Sequence, residues 1–82
     1  MEYSITKHEE SLSKIAQIMS ERTGCKVTAN NVRTDILTVT TAIYSAVIYE
    51  TIDNVVGVKS IICKVRKWKK PHEYEVTSER IY

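Results

Sequence analysis

The sequence predicts a small α+β domain: two helices, the second one long, followed by a C-terminal basic β-hairpin. Three observations carry this reading. Leu12, Ile15, Ala16 and Met19 recur at i, i+3, i+4 and i+7, and the stripe ends shortly before Gly24. Val32, Ile36, Val39, Ile43 and Val47 follow at spacings of four, three, four and four, the seam a second helix would present. After Gly57 the apolar period falls to two, and lysines and arginines crowd the alternating stretch.

The first helix is expected over about residues 7–22. Thr6 and Glu9 stand three apart, as in a capping box, and Gly24 supplies the left-handed residue that commonly ends a helix. Its apolar stripe reads as a core-facing surface with a solvated outer side. The second helix would begin at a cap on Thr28 and run through "ANNVRTDILTVTTAIYSAVIYETIDN". The Thr, Val, Ile and Tyr content of that segment favours strands. Ala42–Tyr44 and Ala46–Tyr49, however, are consecutive apolar runs without clean alternation. With no strong turn signal between residues 29 and 53, one long helix, apolar over much of its circumference, is expected. The competing reading ends that helix near Leu37 and makes residues 38–52 a strand.

In the hairpin, Ile61, Cys63 and Val65 point one way and Ile62, Lys64, Arg66 and Trp68 the other. Pro71 breaks the run, because it has no N–H for a ladder bond. "EYEVTSERIY" returns as the second strand, giving a hairpin of about 60–68 and 73–81 with Lys69, Lys70, Pro71 and His72 at its tip.

The length of 82 residues allows one domain. A chain this small buries a modest fraction of its surface, and the second helix offers more apolar surface than its neighbours cover. A homodimer is therefore expected, with Val32, Ile36, Val39, Ile43 and Val47 at the interface. The polar, acidic start of the chain is unlike a signal peptide, and no apolar run approaches the roughly 18 residues of a membrane helix. Cys25 and Cys63 lie far apart and read as free thiols in a reducing, cytoplasmic setting, with one disulfide between them as the alternative.

Charge is unevenly spread. Residues 1–58 carry five Lys/Arg against seven Asp/Glu, a net −2, whereas residues 59–82 carry seven against three, a net +4. A local basic cluster attracts phosphate. Lys59, Lys64, Arg66, Lys67, Lys69 and Lys70 are the candidate phosphate contacts, with Trp68 and Pro71 as apolar contacts at a groove. Lysines also guard edge strands against aggregation, so part of the cluster has an alternative role.

The order of helix, glycine, long helix and basic β-arm resembles the bacterial histone-like HU/IHF family. "LSKIAQIMSERTG" is similar to the family's first helix and the Thr-Gly after it. Thr28 to Gly57 is similar in length to its long second helix plus turn, and "GVKSIICKVRK" resembles its "GFGTFxVRxRK" arm opening. The resemblance places Gly57 at the first glycine, Val58 and Ile61 at the aromatic positions, Lys64 and Arg66 at basic arm positions and Pro71 near the arm tip. It implies an intertwined dimer whose arms embrace duplex DNA through the minor groove, a nucleoid-type role with low sequence specificity. The chain departs from the pattern at Lys59, in its aliphatic Val58 and Ile61, in its short arm and in lacking the C-terminal helix. A second resemblance, to the winged helix-turn-helix of transcription regulators, would make 60–80 the wing and let Asn30, Asn31, Arg33 and Thr34 meet base edges. First-turn capping is the plainer role for the two asparagines.

An enzyme is not expected: the sequence has no Gly-rich phosphate loop, Gly-x-Ser-x-Gly or His-Glu-x-x-His. His8, Cys25, Cys63 and His72 lack zinc-ligand spacing, and no cofactor is expected. The rival to double-stranded DNA as partner is an acidic protein surface, bound by a small interaction module acting as a regulator or inhibitor.

Overall fold

The computed structural model describes residues 11–81. One helix, α1 (Leu12–Thr23), precedes four strands: β1 (Val32–Leu37), β2 (Thr41–Ile52), β3 (Val55–Arg66) and β4 (Glu73–Arg80). The strands form one antiparallel sheet in the order β1-β2-β3-β4.

Helix α1 follows its sequence pattern. Ile15, Ala16 and Met19 are buried, and Leu12 packs beside them. Gly24 ends the helix at φ 74°, its N–H donating to the Ser20 carbonyl at 2.9 Å. That is the left-handed cap glycine allows without a Cβ penalty. The expected start at residue 7 and the Thr6–Glu9 cap lie outside the described residues. Beyond the cap, Ser20 Oγ accepts the Val27 N–H at 3.0 Å, and Thr23 Oγ1 accepts the Cys25 N–H at 3.2 Å. These bonds turn the chain back toward the sheet.

The expected long second helix is not formed, and with it falls the histone-like architecture that the resemblance implied. Residues 32–52 are strand, turn and strand instead, and a second turn at Asp53 and Asn54 leads into β3. The reader helix of a winged helix-turn-helix is likewise missing: Ala29–Asn31 makes a single 3-10 turn, and β1 begins at Val32. The reason lies in β2. Ala42, Tyr44, Ala46 and Ile48 face α1 and are buried, while Ile43, Val47 and Tyr49 occupy the opposite face. Apolar residues on both faces hide a period of two and let a spurious four-three-four spacing emerge. The β-branched content was the better guide.

Two turns divide the expected helix, and neither contains glycine or proline. Between β1 and β2, Thr38 donates its N–H to the Thr41 carbonyl at 2.8 Å, and its Oγ1 accepts the Thr41 N–H at 3.0 Å. The hydroxyl thus mimics a turn backbone. Between β2 and β3, Asp53 and Asn54 both take positive φ, 53° and 65°. A two-residue hairpin of the I′ kind requires this, and Asp and Asn tolerate it. The separate C-terminal hairpin expected over 60–68 and 73–81 is replaced by β3 and β4 of the four-stranded sheet, which pair over residues 59–66 and 73–80, with Arg66 opposite Glu73 and Lys59 opposite Arg80.

The core lies between α1 and one face of the sheet. Tyr44, Ile15, Met19, Ile61, Val65 and Cys63 are its fully buried side chains. The molecule measures 49 × 23 × 17 Å. β1 leaves the sheet at Val32↔Ala46 and β4 at Lys59↔Arg80. The rungs from Glu50↔Gly57 to Ile52↔Val55 therefore project as a two-stranded arm. A histone-like arm was expected in the basic segment; the projecting arm is this apolar one.

Candidate interaction surface

Strand alternation divides the predicted basic site between two faces. Lys59 shares the helix-covered face with Ile61 and Cys63. Its Nζ lies 3.4 Å from Glu50 Oε2 and 3.5 Å from Cys25 Sγ. Its pKa is raised above the ordinary 10.5, first by the hydrogen bond and charge interaction with the Cys25 sulfur, then by Glu50, against partial desolvation. Lys67 is only 8% exposed, with its N–H bonded to the Thr40 carbonyl at 2.8 Å. Neither lysine is placed as an open phosphate contact.

Lys64 and Arg66 occupy the opposite face. The Arg66 guanidinium lies 3.1 Å from Glu73 Oε1 and 2.8 Å from Glu75 Oε1. Glu75, then burial in opposition, then Glu73 set its pKa, which is held above the ordinary value. Lys69 reaches Glu73 at 3.7 Å and lies 5.2 Å from the centre of the Trp68 ring. Trp68, Lys70 and Pro71 are exposed at the β3–β4 turn, where the Lys70–Pro71 peptide is cis. The cluster is therefore brought together at one end of the sheet but threaded with carboxylates. The register sets Arg66 opposite Glu73 and Lys64 opposite Glu75; the alternate glutamates of the returning strand are the sequence signal that could have shown this.

The five predicted interface residues separate too. Val32 is buried under α1, and Val39 is exposed in the β1–β2 turn. Ile36, Ile43 and Val47 share the face of the sheet that α1 does not cover. Sequence reasoning missed their companions Tyr49, Val58 and Ile62, along with the exposed Ile52, Val55 and Val56 of the arm.

This open face carries two hollows. One, of about 310 Å³, is lined by Asn30, Asn31, Val32, Arg33, Ser45, Ala46 and Val47. Asn31 Oδ1 accepts the Thr28 N–H at 3.0 Å, so its role includes the capping expected of it. Arg33 Nε meets Asp35 Oδ1 at 3.1 Å, and Thr34 turns to the core side, beside Tyr44. Ser45 is 8% exposed, and its hydroxyl has no partner among the described residues. The second hollow, about 110 Å³, is lined by Ser60, Ile62, Thr77, Ser78 and Glu79.

Neither cysteine is in a disulfide; Cys63 is fully buried and Cys25 half-buried. Cys63 and His72 do not form a metal cluster with other ligand types among the described residues, and His8 lies outside them. No helix among the described residues is long and apolar enough to cross a membrane. No protein-family model matches the chain, and no curated protein or solved structure matches it.

Proposed function

We propose that this chain is a non-enzymatic protein-interaction module that binds through the open face of its sheet and the adjoining β2–β3 arm. The observation that carries the reading is the set of exposed apolar side chains Val47, Tyr49, Ile52, Val55, Val56 and Ile62. An antiparallel sheet with one solvated face normally alternates apolar-in with polar-out. Here the outer face also carries Val47, Tyr49, Val56 and Ile62, while Ile52 and Val55 extend exposed apolar surface to the other side of the arm, and large exposed apolar patches mark interaction sites. A two-stranded ribbon in water is marginally stable by itself, so the arm gains most from being covered. The two cysteines, unbridged by a disulfide, support a cytoplasmic setting.

Site-directed photocrosslinking in the expressing cell tests this. A photoreactive residue at Tyr49 or Val55 should trap discrete polypeptides, and the same residue at the solvent-facing Gln17 of α1 should not. Equal labelling at the three positions, or none at Tyr49 and Val55, overturns the reading.

A second reading is contact with duplex DNA, with little sequence preference, through the β3–β4 turn. The exposure of Trp68, Lys69, Lys70 and Pro71 at one tip favours it. Titration of a duplex of arbitrary sequence at several salt concentrations tests it, because phosphate contacts give a log–log slope of about −0.9 each. Absence of binding at low salt overturns it.

A further inference from the structure

We infer that the occupant of the open face is a second copy of this chain, packed sheet on sheet about a two-fold axis that runs parallel to β2 and β3 and between them. The inference rests on the reading of that face as a protein-binding surface, and it goes further in naming the partner and the geometry.

The register supplies the argument. On the open face Val47 lies beside Ser60, and in the next outward-facing rung Ser45 lies beside Ile62. Each rung thus sets a large side chain against a serine, and the large one changes strand from one rung to the next. Val47 is 48% exposed and Ile62 42%. The serines lie in the two hollows, Ser45 in the larger and Ser60 in the smaller. A two-fold axis along the strands exchanges β2 and β3 without changing the rung. Ile62 of each copy then enters the Ser45 hollow of the other, and Val47 enters the Ser60 hollow. Each bump meets a hollow twice, the self-complementarity an isologous interface requires. Sheets stacked this way sit about 10 Å apart and cross at about 30°, which displaces the rungs nearest the axis least.

Charge follows the same operator. Glu79 occupies the Val47–Ser60 rung at the β4 edge, and its side chain has no partner among the described residues. The operator carries it to the β1 edge of the other copy, over the hollow lined by Asn31, Arg33 and Ser45. There Arg33 is held by Asp35 only through Nε, which leaves its terminal N–H groups to donate. The Ser45 hydroxyl is the second free donor. The carboxylate of one copy thus meets a guanidinium and a hydroxyl of the other, and the pair forms twice. Farther along, Tyr49 of one copy lies over Val58 of the other and Thr51 over Val56, so the open-face side of each arm is covered.

The area is sufficient. Four strands about 4.8 Å apart, with about eight residues each at about 3.3 Å, present roughly 500 Å² per copy. The total of roughly 1,000 Å² reaches the minimum for a biological interface and lies below the about 1,200 Å² of stable ones, the size of a weak, concentration-dependent dimer.

Analytical ultracentrifugation of the full chain, from about 1 μM to about 1 mM, tests the inference together with charge reversal. The wild type should dimerise. Glu79→Arg sets like charges opposite Arg33 and should raise the dimer dissociation constant about tenfold or more. Arg33→Glu should do the same, and the double variant should regain most of the loss. All these positions are exposed, and circular dichroism checks that the variants remain folded. A monomer throughout the range, or a dimer indifferent to both Glu79→Arg and Val47→Asp, overturns the inference. A monomer that still gives discrete crosslinks from Tyr49 would leave the interaction reading intact with another partner. A monomer without such crosslinks would remove both.

Discussion

Arg66 and Glu75 are joined across the β3–β4 ladder, with Nη2 2.8 Å from Oε1, and Glu73 holds the other end of the same guanidinium at 3.1 Å. The most basic stretch of the chain is thereby partly neutralised by the strand that follows it. Glu73→Gln with Glu75→Gln should release Arg66 and Lys69. If the turn contacts phosphates, duplex binding at low salt should tighten and its salt slope steepen by about one per recruited contact. Stability should change little, as is usual for exposed ion pairs. Unchanged slope and affinity would show that these cations do not meet phosphate.

Adjacent isoleucines on β3 should behave oppositely. Ile61 is fully buried under α1, whereas Ile62 points to the open face. Ile61→Ala should cost about 2–5 kcal/mol in chemical denaturation, a large share of the stability of so small a domain. Ile62→Ala should cost under about 1 kcal/mol in dilute protein, and if the proposed dimer forms the difference should grow with protein concentration. Equal losses at both positions in dilute protein would contradict the one-sided core.

The β2–β3 turn offers a backbone test. Asn54 sits at φ 65°. Asn54→Gly should keep or raise the denaturation midpoint, and Asn54→Ala should lower stability by about 1 kcal/mol, because a Cβ is strained in the left-handed region. A midpoint that falls with glycine would argue against the two-residue hairpin.

Lys59 gives the chain an alkaline signature. Its folded-state pKa lies above 10.5, chiefly through Cys25 and secondarily through Glu50. A group raised on folding stabilises fully below its unfolded pKa and loses that contribution as pH climbs through the folded value. Stability should therefore fall from about pH 10.5 upward. Lys59→Met should flatten this fall, and Cys25→Ser should reduce it. Denaturation midpoints compared at neutral pH and above pH 10.5 read the difference, and identical slopes for wild type and Lys59→Met would refute the assignment.

Several elements were legible because local chemistry settles them. The stripe of Leu12, Ile15, Ala16 and Met19 with Gly24 after it specifies α1, since spacing and cap agree. The alternation of Ile61, Cys63 and Val65 specifies one face of β3, since the opposing positions are more polar. The middle of the chain was not legible in the same way. Thr38 builds its turn from a hydroxyl, and Asp53-Asn54 is a weaker hairpin mark than a pair ending in glycine. The basic cluster was visible, but its neutralisation depends on which rung faces which.

The sequence by itself therefore determined the first helix and the antiparallel pairing of residues 59–66 with 73–80; it signalled an excess of apolar surface but assigned it to a long helix that does not form. Tertiary structure decided where that excess lies. A helix of 12 residues, about 18 Å long, covers part of one face of a sheet whose central strands are as many residues long and twice as extended. Ile43, Val47, Tyr49 and Ile62 are left on the other face because one short helix cannot reach both.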